Sequence, residues 1–163
     1  MAKTKENKYN ILHKTANGRG VMYCTQNGIN YIGNAYMVVY GMNDDEFNKA
    51  IEKAKAVENL VIGEQASIII DDVKGHKVEG EYTKVCYDSA NGMISFFRAD
   101  NEEIVPIQYC FFEFVKELPV NKVWCYSDKA GVVIELTDGR SVVIMPYIIT
   151  KEKIEKIIKE IYK

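Results

Sequence analysis

The side chains able to do chemistry are few and scattered. His13 and His76 are the two histidines, and Cys24, Cys86, Cys110 and Cys125 the four cysteines, in 163 residues. A nucleophilic enzyme needs a base beside its nucleophile. A Cys–His or Ser–His pair would therefore have to use His13, in a basic N-terminal region, or His76, after a turn at Lys74-Gly75. Both read as exposed. No two cysteines stand at a C-x-x-C or similar spacing, so the closely paired ligands of a structural zinc site are missing, and no metal or cofactor is expected. Each thiol sits among apolar or aromatic neighbours, as in Met22-Tyr23-Cys24 and Trp124-Cys125-Tyr126, which predicts small, buried, reduced cysteines. Asp71-Asp72 and Glu102-Glu103 supply the oxygens a divalent cation wants. Adjacent residues on a strand point to opposite faces, so neither pair chelates as a unit, and both read as loop charge. The G-x-S-x-G, G-x-x-x-x-G-K-S/T and G-x-G-x-x-G patterns do not occur. Asn17-Gly18-Arg19-Gly20 lacks the strand–loop–helix frame of a phosphate cradle and reads as a flexible turn. These residues do not add up to a catalytic set, and the chain is expected not to be an enzyme.

Composition sets the frame in which those residues must be placed. Hydrophobic residues make up 47% and charged residues 27%, ordinary values that argue against disorder and collagen-like repeats. No apolar run approaches the ~18 residues of a spanning helix, and the first residues lack the apolar stretch of a signal peptide, so a cytoplasmic protein without a membrane partner is expected. Net charge is −2, too balanced for a strong nucleic-acid binder, but its distribution is uneven. Residues 1–20 carry +4, residues 151–163 carry +2 and residues 21–150 carry −8. The basic residues at the start could contact phosphate or simply solvate a terminus. The 11 tyrosines could stack on bases, anchor an interface or fill a core; alternating strands favour the core.

Hydrophobic period then divides the chain into elements. Phe47, Ala50, Ile51, Ala54 and Val57 form one apolar stripe behind a cap at Asp44 and Asp45, predicting a helix. Phe111, Phe114, Val115 and Leu118 predict a second, from Tyr109 to the stop at Pro119. Ile154, Ile157, Ile158 and Ile161 make a clean stripe after the cap residue Thr150, predicting a C-terminal helix that packs back on the body. The remainder reads as strands. Val21–Thr25 and Ile29–Ile32 flank Asn27-Gly28, a type I′ hairpin signal. Ala35–Tyr40, Ala66–Ile70, Lys77–Asp88, Met93–Arg98 after an Asn91-Gly92 turn, and Ile104–Gln108 follow. Lys122–Tyr126, Val132–Thr137 and Ser141–Pro146 form a three-stranded meander. The fold class expected is α+β, a mostly antiparallel sheet with two body helices and a C-terminal amphipathic helix. Residues 1–20 form a basic arm, 21–149 a single domain, and 150–163 a helix packed on it.

The order from Glu103 to Tyr147 is strand Ile104-Val105-Pro106-Ile107, aromatic helix Tyr109 to Leu118-Pro119, and three strands ending Val142-Val143-Ile144-Met145-Pro146. It resembles the repeating half-unit of DNA sliding clamps, the bacterial β-clamp and PCNA class. The Asn27-Gly28-Ile29-Asn30-Tyr31 hairpin, the Tyr36–Tyr40 strand and the Phe47 helix resemble the first half of clamp-like proteins of phages and mobile elements. The resemblance implies clamp-like half-units and a non-catalytic module associated with DNA metabolism, a homo-oligomer that tethers or regulates a DNA-acting protein. Clamp helices facing DNA tend to be basic. Here residues 44–58 carry −2 and residues 109–118 carry −1, so attraction to DNA would have to come from the arm, through Lys3, Lys5, Lys8, Lys14 and Arg19. A second reading takes the acidic middle and the tyrosines as those of a phage- or mobile-element-encoded inhibitor that binds a host DNA-acting protein, for example one of defence. A third is an enzyme with an unrecognised carboxylate or tyrosine site.

Overall fold

A computed structural model describes Leu12 and residues 20–89, 92–127, 129–147 and 149–161. The class is α+β. The first meander comprises β1 (Met22–Gln26), β2 (Ile29–Gly33) and β3 (Met37–Tyr40), followed by α1 (Asp44–Ala54), β4 (Val57–Glu58) and α2 (Val61–Gly75). Next come β5 (Gly80–Ser89), β6 (Gly92–Ala99), β7 (Ile104–Gln108) and α3 (Tyr109–Lys116). The chain continues through β8 (Val120–Trp124), β9 (Val132–Leu136), β10 (Ser141–Ile144) and α4 (Lys151–Ile161).

The strands form two sheets. A seven-stranded sheet has the order β4-β1-β2-β3-β10-β9-β8, antiparallel throughout except for the β1–β4 pair, and a three-stranded antiparallel sheet has the order β5-β6-β7. The first and last meanders thus meet at β3 and β10, with Tyr40 opposite Ser141 and Met37 opposite Ile144. Backbone contacts stitch the sheets together. Glu79 bridges Trp124, the Cys125 N–H donates to the Val78 carbonyl (3.2 Å), and the Tyr147 N–H donates to the Pro106 carbonyl (2.8 Å).

Strand alternation sorts side chains between layers. From the large sheet, Ile32, Val39, Val132, Ile134, Val142 and Ile144 enter one core with Phe97, Val105 and Ile107 of the small sheet, Phe47, Ala50 and Ala54 of α1, and Phe111 and Val115 of α3. Their strand neighbours Cys24, Tyr31, Val38, Val133 and Val143 face the other way, onto Ile62, Ala66 and Val73 of α2. The far face of the small sheet presents Ile94, Phe96 and Ile104 to Ile157, Ile158 and Ile161 of α4. Both faces of the central sheet are covered, so its strands read as nearly continuous apolar runs.

Local chemistry explains several boundaries. Asn27 (φ 54°) and Gly28 (φ 77°) both adopt the left-handed region that a type I′ turn requires. The α1 cap is Asn43 rather than Asp44 or Asp45: its side chain accepts the Glu46 N–H at 2.8 Å. Lys55 ends α1 in the left-handed conformation, which takes Val57 out of the helical stripe and leaves it exposed on β4. Asn91, the first residue of the expected Asn91-Gly92 turn, lies outside the described residues.

One expected element is overturned. Ala66–Ile70 is the middle of the fifteen-residue helix α2, not a strand, so among the described residues the body contains three helices rather than two. Three consecutive isoleucines favour a strand by local propensity. The helical spacing of Ile62, Ala66, Ile69, Ile70 and Val73 prevails because it matches the outer face of the central sheet. Asp71 and Asp72 accordingly lie on a helix, exposed.

Candidate functional site

A dense polar constellation lies where the C-terminal end of α2 meets β8 and β9. Glu135, on β9, accepts from Lys74 Nζ at 2.6 Å and from Trp124 Nε1 at 2.8 Å. Those two donors hold its carboxyl below the usual carboxylate range, against the opposing effect of burial. Trp124 is the single tryptophan; Lys74 and Lys122 set their ammonium groups 5.8 and 5.0 Å from its ring centroid, and Lys122 also pairs with Glu79 at 3.0 Å. Beside it, His76 stacks on Tyr126 with centroids 3.7 Å apart, and its Nδ1 lies 2.7 Å from the Asp72 carbonyl. The Tyr126 hydroxyl donates to Asp72 Oδ2 at 2.9 Å. Burial and that carboxylate both push the Tyr126 phenol up. Every charge here faces a partner, and the chemistry of the arrangement is that of a latch, holding the end of α2 to the sheet.

The other end of α2 is set by Asn59. Its N–H donates to the Tyr23 carbonyl (2.9 Å) and its Oδ1 accepts the Val61 N–H (3.0 Å). Gly63 then lets the helix lie close on β1, since a Cβ there would stand 2.6 Å from Gln26 Oε1 and 2.7 Å from Cys24 Sγ. Held at both ends, α2 turns one continuous stripe outward: Val61, Glu64, Gln65, Ile68, Asp71 and Asp72. Ile68 is 69% exposed, and Leu60 and Val57 beyond the helix start are 64% and 67% exposed. Helical spacing places Glu64, Asp71 and Asp72 four before, three after and four after Ile68, so carboxylates ring an aliphatic knob. The charge is one-signed: residues 57–76 hold Glu58, Glu64, Asp71 and Asp72 against Lys74, which is already bound to Glu135.

The thiols divide by burial. Cys24 and Cys125 are buried and Cys110 half-buried, whereas Cys86 is exposed, a correction to the expectation that all four are buried. Burial pushes the Cys125 thiol up to about 12. Cys86 Sγ lies 3.3 Å from the Tyr82 hydroxyl on β5, where burial raises that phenol to about 12. Among the described residues, no three His, Cys, Asp or Glu side chains converge on a metal position, and no helix is long and apolar enough to cross a membrane.

Lys3, Lys5, Lys8, Lys14 and Arg19, the expected phosphate contacts, and His13 lie outside the described residues. His76 is exposed, as expected, and sits in the α2 latch rather than beside a nucleophile. Local propensity hides the stripe on α2, because it reads that helix as a strand; the signal for it is the helical recurrence from Ile62 to Val73 behind Asn59. No known family, curated protein or solved structure matches the chain.

Proposed function

We propose that the chain is a non-catalytic, clamp-like binding module that tethers or regulates a protein acting on DNA. The observation supporting a binding role is the outward face of α2. A helix held at both ends presents Val61 and Ile68 to solvent, with Leu60 and Val57 just before it. Exposed aliphatics on a helix face held this way offer the kind of apolar surface through which proteins associate. The clamp-like part rests on element order, β7-α3-β8-β9-β10, in which β7 belongs to the small sheet and β8–β10 to the large one. A second reading, a phage- or mobile-element-encoded inhibitor of a host DNA-acting protein, draws on the acidity of the same face.

Two measurements test the proposal. Light scattering with and without a short DNA duplex reads the assembly: a ring of six 18.6 kDa chains weighs about 112 kDa. That mass supports a clamp, and a monomer indifferent to DNA removes it. Affinity capture with the tagged chain reads the partner. Recovery of a DNA-acting protein at stoichiometric yield supports the binding role, and recovery solely of proteins unrelated to DNA overturns it.

A further inference from the structure

We infer that the outward face of α2, with Leu60 and Val57 just before the helix, docks a basic protein surface with an apolar recess, Ile68 being the anchor. The inference rests on the binding-module reading and names its site and the chemistry of its partner.

Three observations point the same way. Ile68 is the most exposed large aliphatic side chain among the described residues at 69%, and it stands in the middle of a helix, not at a frayed end. Its helical neighbours Glu64, Asp71 and Asp72 are exposed carboxylates, and among the described residues none of the three is in an ion pair. An aliphatic centre with a one-signed rim is complementary to a recess lined by Lys and Arg. The helix is also rigid before any partner arrives. Asn59 fixes its start and the Lys74–Glu135–Trp124 and Tyr126–Asp72 contacts fix its end, so little ordering entropy remains to be lost on docking. A second copy of the chain is the wrong occupant. A two-fold pairing of this face with itself would set Glu64 and Asp71 against their own like charges.

The test is an amide chemical-shift titration of the full ¹⁵N-labelled chain with three synthetic probes: an amphipathic Leu/Lys helix, its Leu/Glu counterpart, and an oligolysine of equal charge. The Leu/Lys helix is expected to shift the amides of residues 57–76 and to bind about tenfold more tightly than either other probe. Binding should weaken about tenfold in Ile68→Ser and in Glu64→Gln/Asp71→Asn, all exposed positions, and weaken again at about 0.3 M salt. Equal binding of Leu/Glu, equal binding of oligolysine, shifts confined to another surface, or an indifferent Ile68→Ser overturns the inference. So do concentration-dependent shifts of the same amides without any probe, which would mean self-association. Capture of a DNA-acting protein unaffected by Ile68→Ser would leave the binding role standing and remove this face. Probe binding at this face without such capture would do the reverse.

Discussion

Glu135 offers a graded test of how α2 is held. Glu135→Gln keeps an oxygen to accept from Trp124 Nε1 but removes the charge facing Lys74 Nζ. The two partners' side chains are 36% and 28% exposed. That places the pair between a screened surface ion pair, worth about 0.2–1 kcal/mol, and a hydrogen bond to a charged group, worth about 1.5–3 kcal/mol. A loss of about 1 kcal/mol follows at neutral pH. The carboxyl is held below its ordinary value in the folded chain. Its contribution is therefore fully present above the unfolded value of about 4.3 and disappears as pH falls through the lower folded value. A protonated Glu135 and a glutamine carry the same charge. The stability difference between parent and variant should thus be about 1 kcal/mol at pH 7 and shrink toward zero on acidification below about pH 4. Urea unfolding followed by the fluorescence of Trp124, the single indole, measures both numbers, and a cycle with Lys74→Met isolates the pairwise part. A difference under about 0.3 kcal/mol at pH 7, or one that stays constant or grows in acid, would refute the reasoning.

Other perturbations probe the remaining layers. Phe111→Ala, in the core shared by both sheets and stacked with Tyr36, should cost about 3–5 kcal/mol and lower Tm by about 10 °C in calorimetry. Gly63→Ala should destabilise by about 1–3 kcal/mol, because its Cβ meets Gln26 and Cys24 and α2 must back away from β1. Native thiol titration should modify Cys86 readily, with Cys24 and Cys125 reacting only after denaturation. Ile157→Asp should release α4 and uncover Ile94, Phe96 and Ile104, seen as increased binding of a hydrophobic dye at unchanged β-sheet circular dichroism.

The parts of the fold legible in the sequence are those where local and tertiary preferences agree. Asn27-Gly28 specifies its turn by backbone conformation alone, and the Phe111, Val115 and isoleucine stripes of α3 and α4 lie on helices whose apolar side faces a sheet. At α2 the two preferences conflict. The run Ile68-Ile69-Ile70 reads as a strand locally, and the sheet it covers is assembled from residues far away in sequence, so the decisive partners of Ile62, Ala66 and Val73 are invisible in a short window. Pairing of β3 with β10 has the same cause. The latch around Trp124 is out of reach too: Lys74, Glu135 and Tyr126 acquire meaning only when α2 crosses β9, since no spacing rule links residues 61 positions apart.

The junction of β3 and β10 has a consequence for biosynthesis. The central sheet closes only when Met37–Tyr40 meets Ser141–Ile144, so roughly a hundred residues must leave the ribosome in between, about 5–20 s at ordinary elongation rates. Throughout that interval the apolar strand Met37-Val38-Val39-Tyr40 offers an open hydrogen-bonding edge, the feature that recruits foreign strands. Folding of this topology is correspondingly slow. The first meander is thus a segment of the nascent chain whose free edge needs shielding until β10 emerges to pair with it.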